Sequence, residues 1–260
     1  MIAIPEDLAG LLQSLLWPAF VVFLRLGAMA FVLPAFGERA VPVRVRLGAA
    51  GAFTLVVLPA VAPEIPPPPG ALVPALAAGG AEIAAGLFFG LLLRLFVLAL
   101  QVAGTIAAQS TSVSQIFGGG PGTEPQPAIS NVLMVSGLAL AAILGLHVQL
   151  AAFMIDGYRV IPPTVAPLPS VVAEAGLAGV SQTFGLAFSL AAPFVIASVL
   201  YNVTLGVINK AMPQLMVAFV GAPAITAASL FLLFLAAPAI LQVWGAAFSG
   251  FLAAPLGTAR

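Results

Sequence analysis

Long apolar runs, separated by short polar or proline-rich breaks, make up most of this chain. A membrane-spanning helix needs about 20 mostly apolar residues, and six runs come close to that length or exceed it. They are Leu8–Phe36, Leu47–Ala62, Ala75–Ser112, Ala128–Ile155, Gly176–Val207 and Ala222–Leu252. The second is short for a span, whereas the third is long enough for either two helices or one helix that leaves the bilayer. The pattern predicts an all-α membrane protein with about six apolar helical segments.

Prolines lie inside several of these runs. They are Pro18, Pro34, Pro193, Pro223 and Pro238. A proline removes a backbone hydrogen bond, and a membrane tolerates this only where protein or a water-filled cavity satisfies the freed backbone group. The prolines therefore indicate kinked, hairpin-like helices that pack against partner chains rather than lie freely in lipid.

The composition agrees with a membrane location, since 62% of the residues are hydrophobic and 6% are charged. A soluble domain carries roughly 25% charged residues, and its surface cannot hide so much apolar area from water. The formal net charge is zero, which gives no support for binding nucleic acid.

The chain has no cysteine and a single histidine, His147, which excludes disulfides, thiolate metal sites and multi-histidine metal sites. We find no Ser-His-Asp order, no HExxH motif and no carboxylate pair within one segment. The sequence predicts a protein that is not an enzyme and needs no cofactor. His147 is interpreted as a satisfied histidine at a helix end.

Basic residues mark the cytoplasmic side of membrane proteins. The cluster of Arg39, Arg44 and Arg46 predicts a cytoplasmic connection there and an external N-terminus, and Lys210 predicts a second cytoplasmic turn. Arg159 falls in a connection that this scheme places outside. The acidic N-terminal residues indicate that the first apolar run is retained as a membrane helix.

Three charged residues, Arg25, Glu82 and Arg94, lie within apolar runs, where a charge is costly and points to a function. Glu82 and Arg94 are twelve positions apart, or about 18 Å along one helix, so they do not pair directly. Each needs a partner elsewhere or an aqueous face. Pairing with a neighbouring subunit, snorkelling to an interface and a transport role all remain open.

A polar stripe precedes the most glycine-rich part of the chain. Gln101, Thr105, Gln109 and Ser112 follow the spacing of one helical face. This face is interpreted either as the lining of a pore or as a source of interhelical hydrogen bonds. Upstream, Gly86 and Gly90 form a GxxxG motif that allows close helix approach.

The stripe leads into SVSQIFGGGPGTEPQP, residues 112–127. A phosphate-binding loop requires a lysine after the glycines and a strand before them, and this segment has neither. By composition alone it is a flexible connector. Further along the chain, Asp156 and Arg159 are expected to pair locally or to cap a helix.

Several motifs resemble the FliR family of flagellar export proteins and its SctT-type relatives in virulence secretion. The first motif corresponds to Arg25, Gly27, Pro34, Phe36, Gly37, Pro42, Arg44 and Arg46. The second corresponds to Asn209, Lys210, Pro213, Gln214 and Leu215. Between them, family elements correspond to Glu82, Gly86, Gln101, Ala103, Gly104, Ile106 and Gln109. Their order and spacing agree over nearly the whole chain.

The resemblance implies a single membrane-embedded export-gate subunit over residues 1–260, with a FliP-like part (1–175) and a FliQ-like hairpin (176–260). It implies a hetero-oligomeric helical assembly with FliP- and FliQ-type subunits and an FlhB-type switch protein. The expected location is the bacterial inner membrane, as a multi-pass protein of the flagellar basal body. Membrane lipid and unfolded export substrates are the other expected partners, without nucleic acid.

The resemblance also implies roles for individual residues. Gln101, Thr105, Gln109 and Ser112 would face the pore. A plug loop would contain Ile116, Phe117, Gly118, Gly119, Gly120, Pro121 and Gly122. Contacts with other subunits would involve Arg25, Arg44, Arg46, Glu82, Asn209, Lys210, Pro213 and Gln214. The loop departs from the common family pattern, with Glu124-Pro125 in the place of an Asp-Pro. A virulence-type secretion gate, a small-molecule secondary transporter and a scaffold without a pore are the alternatives.

Overall fold

The computed structural model describes residues 6–33, 41–110, 127–212 and 217–257. These residues form seven α-helices and two short 3₁₀ turns, Ala62–Glu64 and Pro255–Gly257. The helices are α1 (Glu6–Val32), α2 (Val43–Val61), α3 (Leu72–Ser110), α4 (Ala128–Ile143), α5 (Leu146–Val160), α6 (Pro169–Ala211) and α7 (Val217–Ala253). The prediction of an all-α membrane protein is confirmed.

Five helices, α1, α2, α3, α6 and α7, are long and apolar enough to cross a membrane. The bent pair α4 and α5 makes a sixth if it is counted as one span. The third apolar run forms one continuous helix, α3, of 39 residues. At about 1.5 Å per residue it measures about 58 Å, which exceeds a hydrocarbon core of about 30 Å.

The fourth apolar run differs from its prediction. We expected one span over Ala128–Ile155, but α4 ends at Ile143 and α5 begins at Leu146. Gly145, between them, has a φ angle of 78°, a left-handed conformation that glycine adopts without a steric penalty. Such a residue ends a helix because its backbone leaves the right-handed path.

The chain divides into two compact units. The first comprises Met1–Leu95, Gly145–Gly179 and Ser249–Arg260, and the second comprises Phe96–Leu144 and Val180–Phe248. These units interleave along the sequence, whereas the parts expected from the resemblance, 1–175 and 176–260, are consecutive. That consecutive division stays a prediction.

In the first unit, α1 packs against α2, and α2 packs against α5. The GxxxG motif of α3 makes the close approach that its spacing predicts. A Cβ at Gly86 would collide with the carbonyl oxygen of Arg25, and one at Gly90 would lie 3.0 Å from the carbonyl oxygen of Met29. Glycine is therefore required where α3 crosses α1. The connection after α2 is also held to α1, because Trp17 Nε1 donates to the carbonyl oxygen of Pro66 at 3.0 Å.

The core of the second unit centres on Trp244 of α7, which is 0% exposed. Its Nε1 donates to the carbonyl oxygen of Phe96 at 2.8 Å, and its ring stacks on Phe248 at 5.1 Å between centroids. Gly104 of α3 meets the backbone of Ser130 in α4, where a Cβ would overlap it. Small residues thus bring the second part of α3 close to α4.

Candidate functional site

The most buried charges in the described residues form an ion pair between α1 and α3. Arg25 Nε lies 2.7 Å from Glu82 Oε2, and Arg25 Nη2 lies 3.1 Å from Oε1. The two side chains are 3% and 0% exposed. This bidentate geometry, with two parallel hydrogen bonds, is the strongest arrangement that a guanidinium and a carboxylate make.

The pair exists because of the close helix crossing described above. Glu82 precedes Gly86 by one turn of α3, so both residues lie on the face that meets α1. The missing side chain at Gly86 lets α3 approach the backbone of Arg25 itself. The close crossing therefore brings the carboxylate of Glu82 within hydrogen-bond distance of the guanidinium.

Other groups complete the cluster, and all of them come from α5 and the connection that follows it. Arg25 Nη1 donates to the carbonyl oxygen of Ile161 at 2.8 Å, and Nη2 donates to that of Pro162 at 3.2 Å. The backbone N–H of Thr164 donates to Glu82 Oε1 at 2.6 Å.

Tyr158 covers the pair from the side of α5. Its ring lies 3.8 Å from the guanidinium carbon of Arg25, within the range of cation–π attraction. Its hydroxyl lies 3.4 Å from Glu82 Oε2, and the residue is 1% exposed. The aromatic ring thus covers one face of the guanidinium.

The third intramembrane charge, Arg94, has a separate partner. Its Nη1 lies 3.4 Å from the carbonyl oxygen of Val32, the last residue of α1. A cation at a helix C-terminus is favourable because the unpaired carbonyls there carry partial negative charge. The expectation that Glu82 and Arg94 each need a partner elsewhere is confirmed. The identity of those partners was not predicted.

The predicted polar stripe lies on the second part of α3, in the second unit. The carbonyl oxygen of Gln101 accepts from the hydroxyls of Thr105 at 2.8 Å and of Ser130 at 3.0 Å. The amide of Gln101 contacts Met134 Sδ at 2.8 Å, whereas Gln109 is exposed. The bond from Ser130 is an interhelical hydrogen bond of the kind that one interpretation of the stripe expected. The pore-facing role stays a prediction.

A second set of polar contacts holds the end of α3 and was missed by sequence reasoning. Ser198 of α6 donates its hydroxyl to the carbonyl oxygen of Ser110. Asn202 Nδ2, one turn further along α6, donates to Ser198 Oγ at 3.2 Å. The spacing of a serine and an asparagine at i and i+4 in an apolar helix was the available signal.

Several predicted site residues lie outside the described residues. They are Ser112, the loop residues Ile116, Phe117, Gly118, Gly119, Gly120, Pro121 and Gly122, and Pro213 and Gln214. The other candidates for subunit contact divide into two groups. Arg44, Asn209 and Lys210 are exposed, and the guanidinium carbon of Arg46 lies 5.3 Å from the Phe31 ring centre.

Arg25 and Glu82, by contrast, are buried inside the chain. Every contact that the structure gives for them is within the first unit, and their use between subunits stays a prediction. The expected local pair is confirmed, with Arg159 Nη1 lying 2.9 Å from Asp156 Oδ1 at the surface. The described residues contain no group of three or more His, Asp or Glu suited to a metal ion.

Comparison with known proteins identifies the family. The profile described as "Bacterial export proteins, family 1" matches residues 16–251. The chain belongs to this family. A flagellar biosynthetic protein FliR of Caulobacter vibrioides is 33% identical over 87% of this chain and 90% of its own length. The FliR proteins of Escherichia coli and Bacillus subtilis are each 27% identical, over 84% and 90% of this chain and 82% and 92% of their own lengths.

The predicted FliR family is therefore confirmed, and the structure gives its motifs a physical meaning. Arg25 belongs to the first FliR motif, and Glu82 and Gly86 belong to an element more than 50 residues later, since the pair spans 57 positions. The three residues meet at one helix crossing in the first unit. In this FliR-family chain, two separate motifs describe one buried contact.

Proposed function

We propose that this chain is a non-enzymatic subunit of the flagellar type III protein export gate, required for flagellum assembly. The observation that carries the proposal is the family match over residues 16–251 together with relatives named flagellar biosynthetic protein FliR. The word flagellar in those names favours a flagellar rather than a virulence-type gate. The long apolar helices support a membrane location, and we assign the chain to the inner membrane at the flagellar basal body.

In this proposal the chain forms part of a protein-conducting channel. The face of α3 that carries Gln101, Thr105 and Gln109 lines the path of unfolded export substrates. Polar side chains suit this role because an unfolded chain presents many backbone donors and acceptors. The exposed amide of Gln109, one residue before the end of α3, supports the assignment.

The segment between α3 and α4 acts as a plug in this proposal, with Ile116 and Phe117 as its apolar stopper. Two hydrogen-bonded contacts lie at its ends. Ser198 binds the carbonyl oxygen of Ser110 at the end of α3. Ser130, in the first turn of α4, binds that of Gln101. A plug needs such anchored ends so that only the intervening segment moves when a substrate arrives.

The partners we propose are FliP- and FliQ-type subunits and an FlhB-type switch protein. The long helix α6 leaves large apolar side chains uncovered, including Phe184, Phe188 and Leu200, which are 51%, 61% and 64% exposed. Such a surface requires lipid or apolar partner helices. A gate subunit would place partner helices there.

Deletion of Ile116–Gly122 tests the plug. We expect the chain to remain in the membrane with its partners and the resting membrane to become permeable to small solutes, measured as uptake of a dye or ion. Replacing Ile116–Gly122 with the same number of serine and glycine residues keeps the length of the segment and separates loss of the apolar stopper from shortening. A resting membrane as tight as that of the unaltered protein contradicts the plug.

Co-purification from the native host tests the wider assignment. A gate subunit is expected to be unstable alone and to purify with small helical membrane proteins encoded beside it. A secondary transporter would instead purify as a monomer or dimer and bind a solute. Purification as a stable single species with no partner would therefore contradict an export gate.

A further inference from the structure

The connection between α5 and α6, residues 161–168, begins with irregular backbone that contacts Arg25 of α1 and Glu82 of α3. Ile161 is 5% exposed, and its carbonyl faces the guanidinium of Arg25 rather than water. Non-helical backbone in such surroundings is tolerated only when protein groups satisfy its donors and acceptors. The question is which groups supply those hydrogen bonds here.

Arg25 and Glu82 supply these hydrogen bonds. The cation binds backbone carbonyl oxygens, and the anion binds a backbone N–H. The guanidinium donates to two carbonyl oxygens, those of Ile161 and Pro162. The carboxylate accepts from the N–H of Thr164. Thr164 has a positive φ of 62°, which is unfavourable for a β-branched residue, and the bond to Glu82 holds it in that conformation.

We infer that the Arg25–Glu82 pair is an oriented clamp that fixes the α5–α6 connection, and that its polarity is set by the backbone groups it holds. A simple ion pair would tolerate exchange of its two charges. The clamp does not, since exchange places a carboxylate against two carbonyl oxygens and a guanidinium against an N–H. The clamp therefore fixes the backbone of residues 161–164 as the chain leaves α5, independently of any role in export.

The number of hydrogen-bond donors at position 25 also distinguishes the oriented clamp from a simple ion pair. Arg25 makes four hydrogen bonds, two to Glu82 and two to backbone carbonyls. A lysine has three donors on one atom at the end of a flexible chain. It retains the charge and the pairing with Glu82, but it does not serve all four acceptors. Arg25→Lys thus keeps an ion pair and loosens the clamp.

Cysteine labelling reports the connection directly, because the chain has no cysteine of its own. Ile161→Cys places a thiol at a buried position inside the clamp, and Val165→Cys places one at a position that is 50% exposed in the same connection. Both are made in the full chain, in native membranes. The rate of modification by a water-soluble maleimide is measured on the membrane-bound protein and divided by the amount of that protein present.

Labelling of the Ile161→Cys chain is expected to rise by at least about tenfold when it also carries Arg25→Lys or the double exchange Arg25→Glu/Glu82→Arg. The loss of one hydrogen bond to a charged group shifts a local opening equilibrium by about that factor. Labelling of the Val165→Cys chain is expected to stay within about twofold in every background, since that site is open already.

The exposed pair of Asp156 and Arg159 provides the matched control. The exchange Asp156→Arg/Arg159→Asp is expected to leave the thiol at position 161 protected, because surface pairs contribute little and the contact that the structure gives these two side chains is with each other rather than with residues 161–168. The clamp also predicts that the chain with the surface exchange accumulates in the membrane even if the chain with Arg25→Glu/Glu82→Arg does not. In that case the labelling rate is measured in the Arg25→Lys chain. An unaltered labelling rate at position 161 in Arg25→Lys, or in an accumulated buried exchange, overturns the clamp.

Discussion

Replacing Gly86 with alanine is expected to destabilise the chain by about 1–3 kcal/mol, the range for overpacking a filled interior. The new Cβ would collide with the carbonyl oxygen of Arg25 and lie 3.1 Å from Ala28 Cβ. The obstacle is backbone, which does not swing away as a flexible side chain does. The two helices must separate, and the bonds between Arg25 and Glu82 lengthen as a result. The melting temperature of the full chain, solubilised in detergent together with the partners that co-purify with it, measures the effect, as does its level in membranes.

Gly80→Ala is the matched control for that substitution. Gly80 lies on the same helix and is exposed, and a Cβ added there would meet no atom within 4 Å. Alanine favours a helix interior over glycine by about 1 kcal/mol, so Gly80→Ala is expected to be neutral or stabilising. Equal melting temperatures for the two variants would show that the crossing of α1 and α3 relaxes freely.

Truncation of Trp244 to alanine is expected to cost about 3–5 kcal/mol, the range for removing a buried aromatic side chain. The ring is fully buried and stacks on Phe248. Its loss also leaves the carbonyl oxygen of Phe96 without the indole donor. Because this core belongs to the second unit, we expect that unit to lose cooperative unfolding. Faster amide hydrogen exchange in α4 and α7 measures this loss.

Two companion variants show which interaction of Trp244 accounts for the destabilisation. Trp244→Phe keeps an aromatic ring and removes the hydrogen bond, and we expect about 1–3 kcal/mol of destabilisation. Phe234→Ala removes an aromatic side chain that is 77% exposed on the same helix, and we expect a change within about 0.5 kcal/mol. A Phe234→Ala chain as unstable as Trp244→Ala would place the core elsewhere on α7.

Local properties of the sequence predicted the helices well. The length of an apolar run, its proline-rich borders and its lack of charge belong to short stretches of chain, so α3, α6 and α7 were expected near their observed positions. The exception was the run over Ala128–Ile155. Apolar composition does not reveal a left-handed glycine, and Gly145 ends the helix where hydropathy continues.

The sequence identified the residues of the candidate site but not which of them contact each other. Arg25, Glu82 and Gly86 each drew attention, the charges because they are costly in an apolar run and the glycine because of its GxxxG spacing. The sequence showed that Glu82 and Arg94 do not pair with each other. Three charges with no partner along one helix leave more than one way of pairing across helices.

The sequence by itself determined the membrane character, the helical class and the FliR family of this protein, because run lengths and motif spacing are properties of the linear chain. Only the tertiary structure decided that Arg25 pairs with Glu82, 57 positions away, and that both hold the backbone after α5. The physical reason is that a hydrogen bond requires two groups within about 3 Å. Which distant groups come that close depends on how the helices cross, and here Gly86 permits the crossing.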